Sequence, residues 1–143
     1  MSSVLYIIRM KSLELVFSEK IVASGRAALI TKLIYLQNQF KIFHWQTFSY
    51  AQHSAFGQLY DELSDKIDEF VETYQGIYER LDFSGEAFAF SNLRDTNFSM
   101  MLSEQAVVLK TYENYFSGHT DLLNIRDEIL GALNKTQYLL SLM

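Results

Sequence analysis

The chain contains no proline in 143 residues. Proline removes a backbone donor and clashes with the preceding helical turn, so a chain without it leaves every helix free to run on. Only six glycines remain to make turns, too few for a protein of many short strands. The expected fold class is therefore all-α. Hydrophobic residues make up 49% of the chain, enough for one domain with a sizeable core. There is no cysteine, which excludes disulfides, thiolate metal sites and iron–sulfur clusters. A formal net charge of −5 argues against DNA binding of the generally basic kind. No apolar run reaches the roughly 20 residues of a membrane span. The opening residues lack a basic leader and a small-residue cleavage site, so a cytoplasmic location is expected.

Residues 1–17 read as an N-terminal arm that packs on something, such as a neighbouring subunit, and 18–143 as the domain. The first helix is expected over 18–45, capped near Ser18 with Glu19 in its first turn. Its apolar residues Ile21, Val22, Ala28, Leu29, Leu33, Leu36, Phe40 and Phe43 recur every three or four positions. Ile30, Ile34 and Ile42 fall off that stripe, so the helix buries two faces, one of them against a second chain. Residues 46–52 form a joint. A second helix runs from about Ser49 or His53 to Glu79, with Phe56, Leu59, Leu63, Ile67, Phe70, Tyr74 and Ile77 on one side and Asp61, Glu62, Asp65 and Glu69 on the other. A long connection through 80–97 precedes a third helix at about 97–116, capped by Asp95 or Thr96. Gly118 stops it, and Thr120 caps a fourth at about 121–142. Two helices, a long crossover and two more helices give the pattern of a ferritin-like four-helix bundle, with the crossover between the second and third helices.

Three histidines and the acids of the second helix are the residues able to carry chemistry. His44 and His53 flank the first joint, and Asp68 and Glu72 form an i,i+4 pair at the border of the apolar stripe. His53 and Asp68 lie about 22 Å apart along one helix at 1.5 Å per residue, so one chain cannot place both on one ion. A two-fold dimer with antiparallel second helices would bring His44 and His53 of one chain to Asp68 and Glu72 of the other, twice per dimer. Imidazole and carboxylate ligands with open positions suit Fe(II), and zinc accepts the same set. His119, in the turn before the last helix, reads as exposed and without a role. Asp127 and Glu128 point weakly to an in-bundle di-iron site, because no Glu-x-x-His motif accompanies them.

The stretch Phe43-His44-Trp45-Gln46, followed by His53 and by Asp68-x-x-x-Glu72, resembles the Dps family of ferritin-like mini-ferritins over about residues 36–76. His44 and Trp45 match its His-Trp dyad, His53 its second histidine, and Asp68 and Glu72 its acidic pair. The resemblance implies a hollow homo-oligomeric shell of twelve subunits built from two-fold dimers. It also implies ferroxidase activity at the dimer interface, storage of ferric iron, and His44, His53, Asp68 and Glu72 as metal ligands. Two features depart from the pattern. Gly57 stands where the family has an Asp ligand, and the gap from His44 to His53 is shorter than usual. Compact proteins of this look are also encoded by tailed phages, which would place this chain in a host cytoplasm. The alternative expectation is a ferritin-like assembly protein that has lost oxidation.

Overall fold

With no proline to stop it, the first helix runs for 45 residues, Ser2–Gln46 (α1). The computed structural model describes the backbone of residues 2–142, and the side chains of these residues other than Ser2, Tyr6 and 11–24. The helix expected from Ser18 thus begins at Ser2, and its backbone passes through the 17/18 boundary between arm and domain. Ser18, Glu19, Ile21 and Val22 lie outside the described side chains. Three residues, 47–49, separate α1 from α2 (Tyr50–Ile77). A single 3-10 turn, Leu93–Asp95, precedes α3 (Phe98–Lys110), α4 (Tyr112–Phe116) and α5 (Thr120–Ser141). The described residues contain no strand.

The apolar stripes read from the sequence meet in one core. Leu33, Leu36, Phe40 and Phe43 of α1 and Phe56, Leu59, Leu63 and Phe70 of α2 are buried together with Tyr112 and Phe116 of α4 and Ile129 and Leu133 of α5. Edge-to-face rings fix its two ends: Phe40 meets Phe56 at 5.5 Å and Phe70 meets Phe116 at 5.1 Å between centroids. Phe43 packs near the start of α2, while Arg26 lies over the Tyr78 ring just past its end, so α1 and α2 are antiparallel. Glu62 pairs with Lys135, and Lys66 with Glu128, which sets α5 antiparallel to α2. Flanked by Glu128 and Glu69, the Lys66 ammonium is held above the usual lysine range.

The connection 78–97 is tied to α1 rather than left loose. Gln39, fully buried, donates to the Ser91 carbonyl and accepts from the Ser91 amide, both at 2.8 Å. Two turns further on, Gln46 donates to Asn92 Oδ1 and accepts from the Leu93 amide, again at 2.8 Å. Residues 87–90 carry no regular secondary structure, and Phe88 and Phe90 lean on Tyr35. Asn97, not Asp95 or Thr96, caps α3, its side chain accepting from the Met100 amide at 3.0 Å.

The helix expected over 97–116 is broken at Thr111. The cause sits on α5. Arg126, 6% exposed, donates to the Leu109 carbonyl at 3.0 Å, taking an acceptor that the helix ladder would otherwise use. Its other donors hold Glu113 and Asp127, both at 2.7 Å. Thr111 closes the end of α3 by donating its hydroxyl to the Val108 carbonyl at 2.6 Å.

Candidate metal centre

The joint between α1 and α2 is a built turn. Thr47 Oγ1 accepts from the Ser49 amide at 3.1 Å and donates to Gln52 Oε1 at 2.6 Å. Ser49 caps α2, its Oγ accepting from the Gln52 amide at 3.2 Å. The turn is short, and α2 starts at Tyr50, so His44 in the last turn of α1 faces His53 in the first turns of α2.

The two imidazoles stack, with centroids 3.7 Å apart and planes 17° from parallel. Each clasps the other's main chain: His44 Nδ1 lies 2.6 Å from the His53 carbonyl, and His53 Nδ1 lies 2.8 Å from the His44 carbonyl. A carbonyl oxygen only accepts, so both Nδ1 atoms carry the proton. In the neutral rings this leaves the lone pair on both Nε2 atoms. A metal-binding histidine uses the same tautomer, its other ring nitrogen donating to a carbonyl that fixes the ring's orientation. The His44 carbonyl is one of the acceptors orphaned at the end of α1, so His53 also caps that helix.

Gly57 belongs to this arrangement. A Cβ there would lie 2.9 Å from His44 Cε1 and 3.0 Å from Nδ1. The space that a side chain at position 57 would need is filled by the His44 ring. Beside it, Lys41 Nζ sits 4.5 Å from the Tyr60 ring centroid and 5.9 Å from that of Trp45, joining the outer faces of α1 and α2. Trp45 itself is 68% exposed.

Asp68 and Glu72 are exposed on α2 and have no hydrogen-bond or ion-pair partner among the described residues. Helix α2 is unbroken from Tyr50 to Ile77, so the separation of about 22 Å from His53 to Asp68 holds within one chain. On a wheel at 100° per residue, His53, Gly57, Ser64 and Asp68 fall within about 60° of one another, with Glu72 about 40° beyond. All therefore look out from one side of α2. Among the described residues, no three His, Asp or Glu side chains of a single chain are gathered to hold a metal ion.

The other sequence candidates have ordinary partners. His119 is half-buried rather than exposed: its Nε2 lies 2.6 Å from the Tyr78 hydroxyl, joining the start of α5 to the end of α2. Asp127 and Glu128 are tied to Arg126 and Lys66 at the surface. Within the expected acidic arc, Glu62 and Glu69 are paired with lysines, whereas Asp61 and Asp65 are exposed. Sequence reasoning missed the glutamine clamps and Arg126. The signal for the latter was present: position 126 falls between Leu122 and Ile129 on the apolar stripe of α5.

The profile of the "Family of unknown function (DUF5856)" matches residues 44–140, more than half of the chain and all four candidate ligands, so the chain belongs to that family. No match was found among curated proteins or among solved structures.

Proposed function

We propose that this DUF5856 member is a Dps-like mini-ferritin: a ferritin-like four-helix bundle that assembles through two-fold dimers into a shell of twelve and takes Fe(II) as its substrate. In this reading α3 and α4 count as one rod bent by Arg126, and 78–97 is the long crossover. The observation that carries the reading is the His44–His53 clasp, which spends both Nδ1 protons on carbonyls and frees both Nε2 lone pairs beside one outward face of α2. An antiparallel mate that sets His53 opposite Asp68 and Glu72 centres its two-fold axis beside residues 60–63. The same register lays Gly57 against Ser64 and Asp68 of the mate, where small side chains permit close approach. Two imidazoles from one chain and two carboxylates from the other make a set with room for Fe(II) and an oxidant. Two Fe(II) give one electron each to one peroxide, which with two protons leaves as two waters. The exposed Asp61 and Asp65 supply a field that draws cations. The setting is cytoplasmic, in a host cell if the chain is phage-encoded, and DNA binding is weak or absent. Zinc is the competing ion.

A second reading, an assembly protein without oxidation, is favoured by Gly57: its lost side chain is replaced by a ring, not by another carboxylate. Anaerobic Fe(II) titration with a mass measurement separates the two. The first reading expects one or two ions per chain on an oligomer, and binding weakened at least tenfold in His44→Ala/Asp68→Ala with the oligomer retained. Exposure of the loaded wild type to peroxide then shows oxidation faster than buffer. An intact oligomer that neither binds nor oxidises Fe(II) selects the second reading, and a monomer removes the shared site.

A further inference from the structure

The two ends of α1 each leave an apolar surface bare among the described residues. At the N-terminal end Val4, Leu5, Ile7 and Ile8 are all more than half exposed. Arg26 already lies level with Tyr78 and Tyr115, where α2 and α4 finish. Residues 2–24 therefore run past the helices that flank the rest of α1, for about 34 Å at 1.5 Å per residue. A solitary helix of that length is marginal in water, because helical stability comes mainly from packing an apolar face. At the other end Trp45 and the fully exposed Phe48 border an open groove of about 930 Å³, closed on its far side by Leu93 and Arg94.

These surfaces cannot meet within one chain. Ile8 and Trp45 lie on the same continuous helix, about 55 Å apart. We propose that the N-terminal turns of α1 dock head to tail into the Trp45–Phe48 groove of a second copy of this chain. Val4, Ile7 and Ile8 give the i, i+3 and i+4 anchors with which a helix enters an apolar groove. A tip-to-tip pair would leave both grooves bare, whereas head-to-tail contact covers both surfaces.

The area suffices for a weak interface. A fully buried aliphatic side chain removes roughly 60–120 Å² from water, so the bare parts of the four tip residues and Met10 give roughly 250 Å². Phe48 and two-thirds of Trp45 add about 300 Å². Since interfaces are about 60% apolar, the whole contact comes to about 900 Å², within the weak, transient class below about 1,200 Å². A heterologous contact of this kind does not saturate in a pair, so association grows with concentration unless a ring closes.

The contact is independent of the metal reading, and complementation tests it. Sedimentation of the full chain is compared with Ile8→Glu, which spoils the tip, and Phe48→Ser, which spoils the groove. Both positions are exposed, and circular dichroism checks that each variant stays helical. Leu5→Glu serves as a second tip variant. Each variant is expected to have a lower mass-average than wild type at equal concentration, with association at least tenfold weaker. An equimolar mixture of Ile8→Glu and Phe48→Ser is expected to exceed either alone, because each supplies what the other lacks. Variants matching wild type overturn the proposal, as does a mixture equal to the mean of its parts, which signifies tip-to-tip or groove-to-groove pairing. Mass unchanged in the variants, together with tip-dependent co-sedimentation on anionic vesicles, assigns the tip to a membrane instead and equally overturns it.

Discussion

Replacing Gly57 by Ala tests the stacked histidines through stability alone, with no metal present. Inside a helix the change ordinarily gains about 1 kcal/mol, or about 3–4 °C in Tm for a chain of this size. Gly131 shows the ordinary case: it lies within α5 and its Cβ would meet nothing within 4 Å. At Gly57 the new methyl lies 2.9 Å from His44 Cε1, about 0.5 Å short of an ordinary contact at 3.4 Å. The ring must move away from α2, stretching the short hydrogen bond it makes from Nδ1 to the His53 carbonyl, worth about 0.5–1.5 kcal/mol. Gain and loss then nearly cancel. We expect Gly131→Ala to raise Tm by about 3 °C and Gly57→Ala to leave it level or lower it. In a His44→Ala background the obstruction is gone, so Gly57→Ala regains its full increment, giving a coupling of about 1 kcal/mol between the two sites. Thermal unfolding of the four proteins of this cycle, with Gly131→Ala as control, measures it. A Gly57→Ala increment equal to that of Gly131→Ala in both backgrounds would show that the ring does not cover position 57.

Gln39→Ala removes two buried hydrogen bonds to Ser91 and is expected to cost about 2 kcal/mol; hydrogen exchange at the Ser91 amide should accelerate while exchange in the middle of α5 changes only with global stability. Arg126→Met removes the buried side-chain donor to the Leu109 carbonyl and should cost about 2 kcal/mol in a urea melt. Glu113→Gln, at the exposed end of the same contact, should cost under about 1 kcal/mol because solvent screens that carboxylate, and equal losses for the two would place the energy in the ion pair rather than in the carbonyl.

The all-helical class was legible because the missing prolines and the spacing of Leu33, Leu36, Phe40 and Phe43 state it directly. Boundaries followed where a local cap decides them, as at Ser49; Thr120, expected as the cap of the last helix, is instead its first residue, with His119 at the cap position and no side-chain bond there. They failed where a distant side chain decides them. The break at Thr111 depends on a guanidinium from α5, and no window around 111 contains it. His44 and His53 stood out by type, but their mutual clasp depends on a three-residue turn with α2 starting at Tyr50. Gly57 read as a deficit in a ligand pattern, because a sequence marks what a position lacks and not which neighbour fills the gap.

Gln39 and Gln46 grip the connecting segment only through its main chain at Ser91 and Leu93, apart from one contact with the Asn92 side chain. Such a grip measures position, not chemistry. The segment that runs from the end of α2 to the start of α3 is thus held to a fixed length while the exposed Ser91 side chain is released from any part in holding it, and Leu93 adds a partly buried side chain packed on the core. Substitutions at 91 are free to drift, whereas a single inserted or deleted residue between Ile77 and Ser91 would misalign both grips at once.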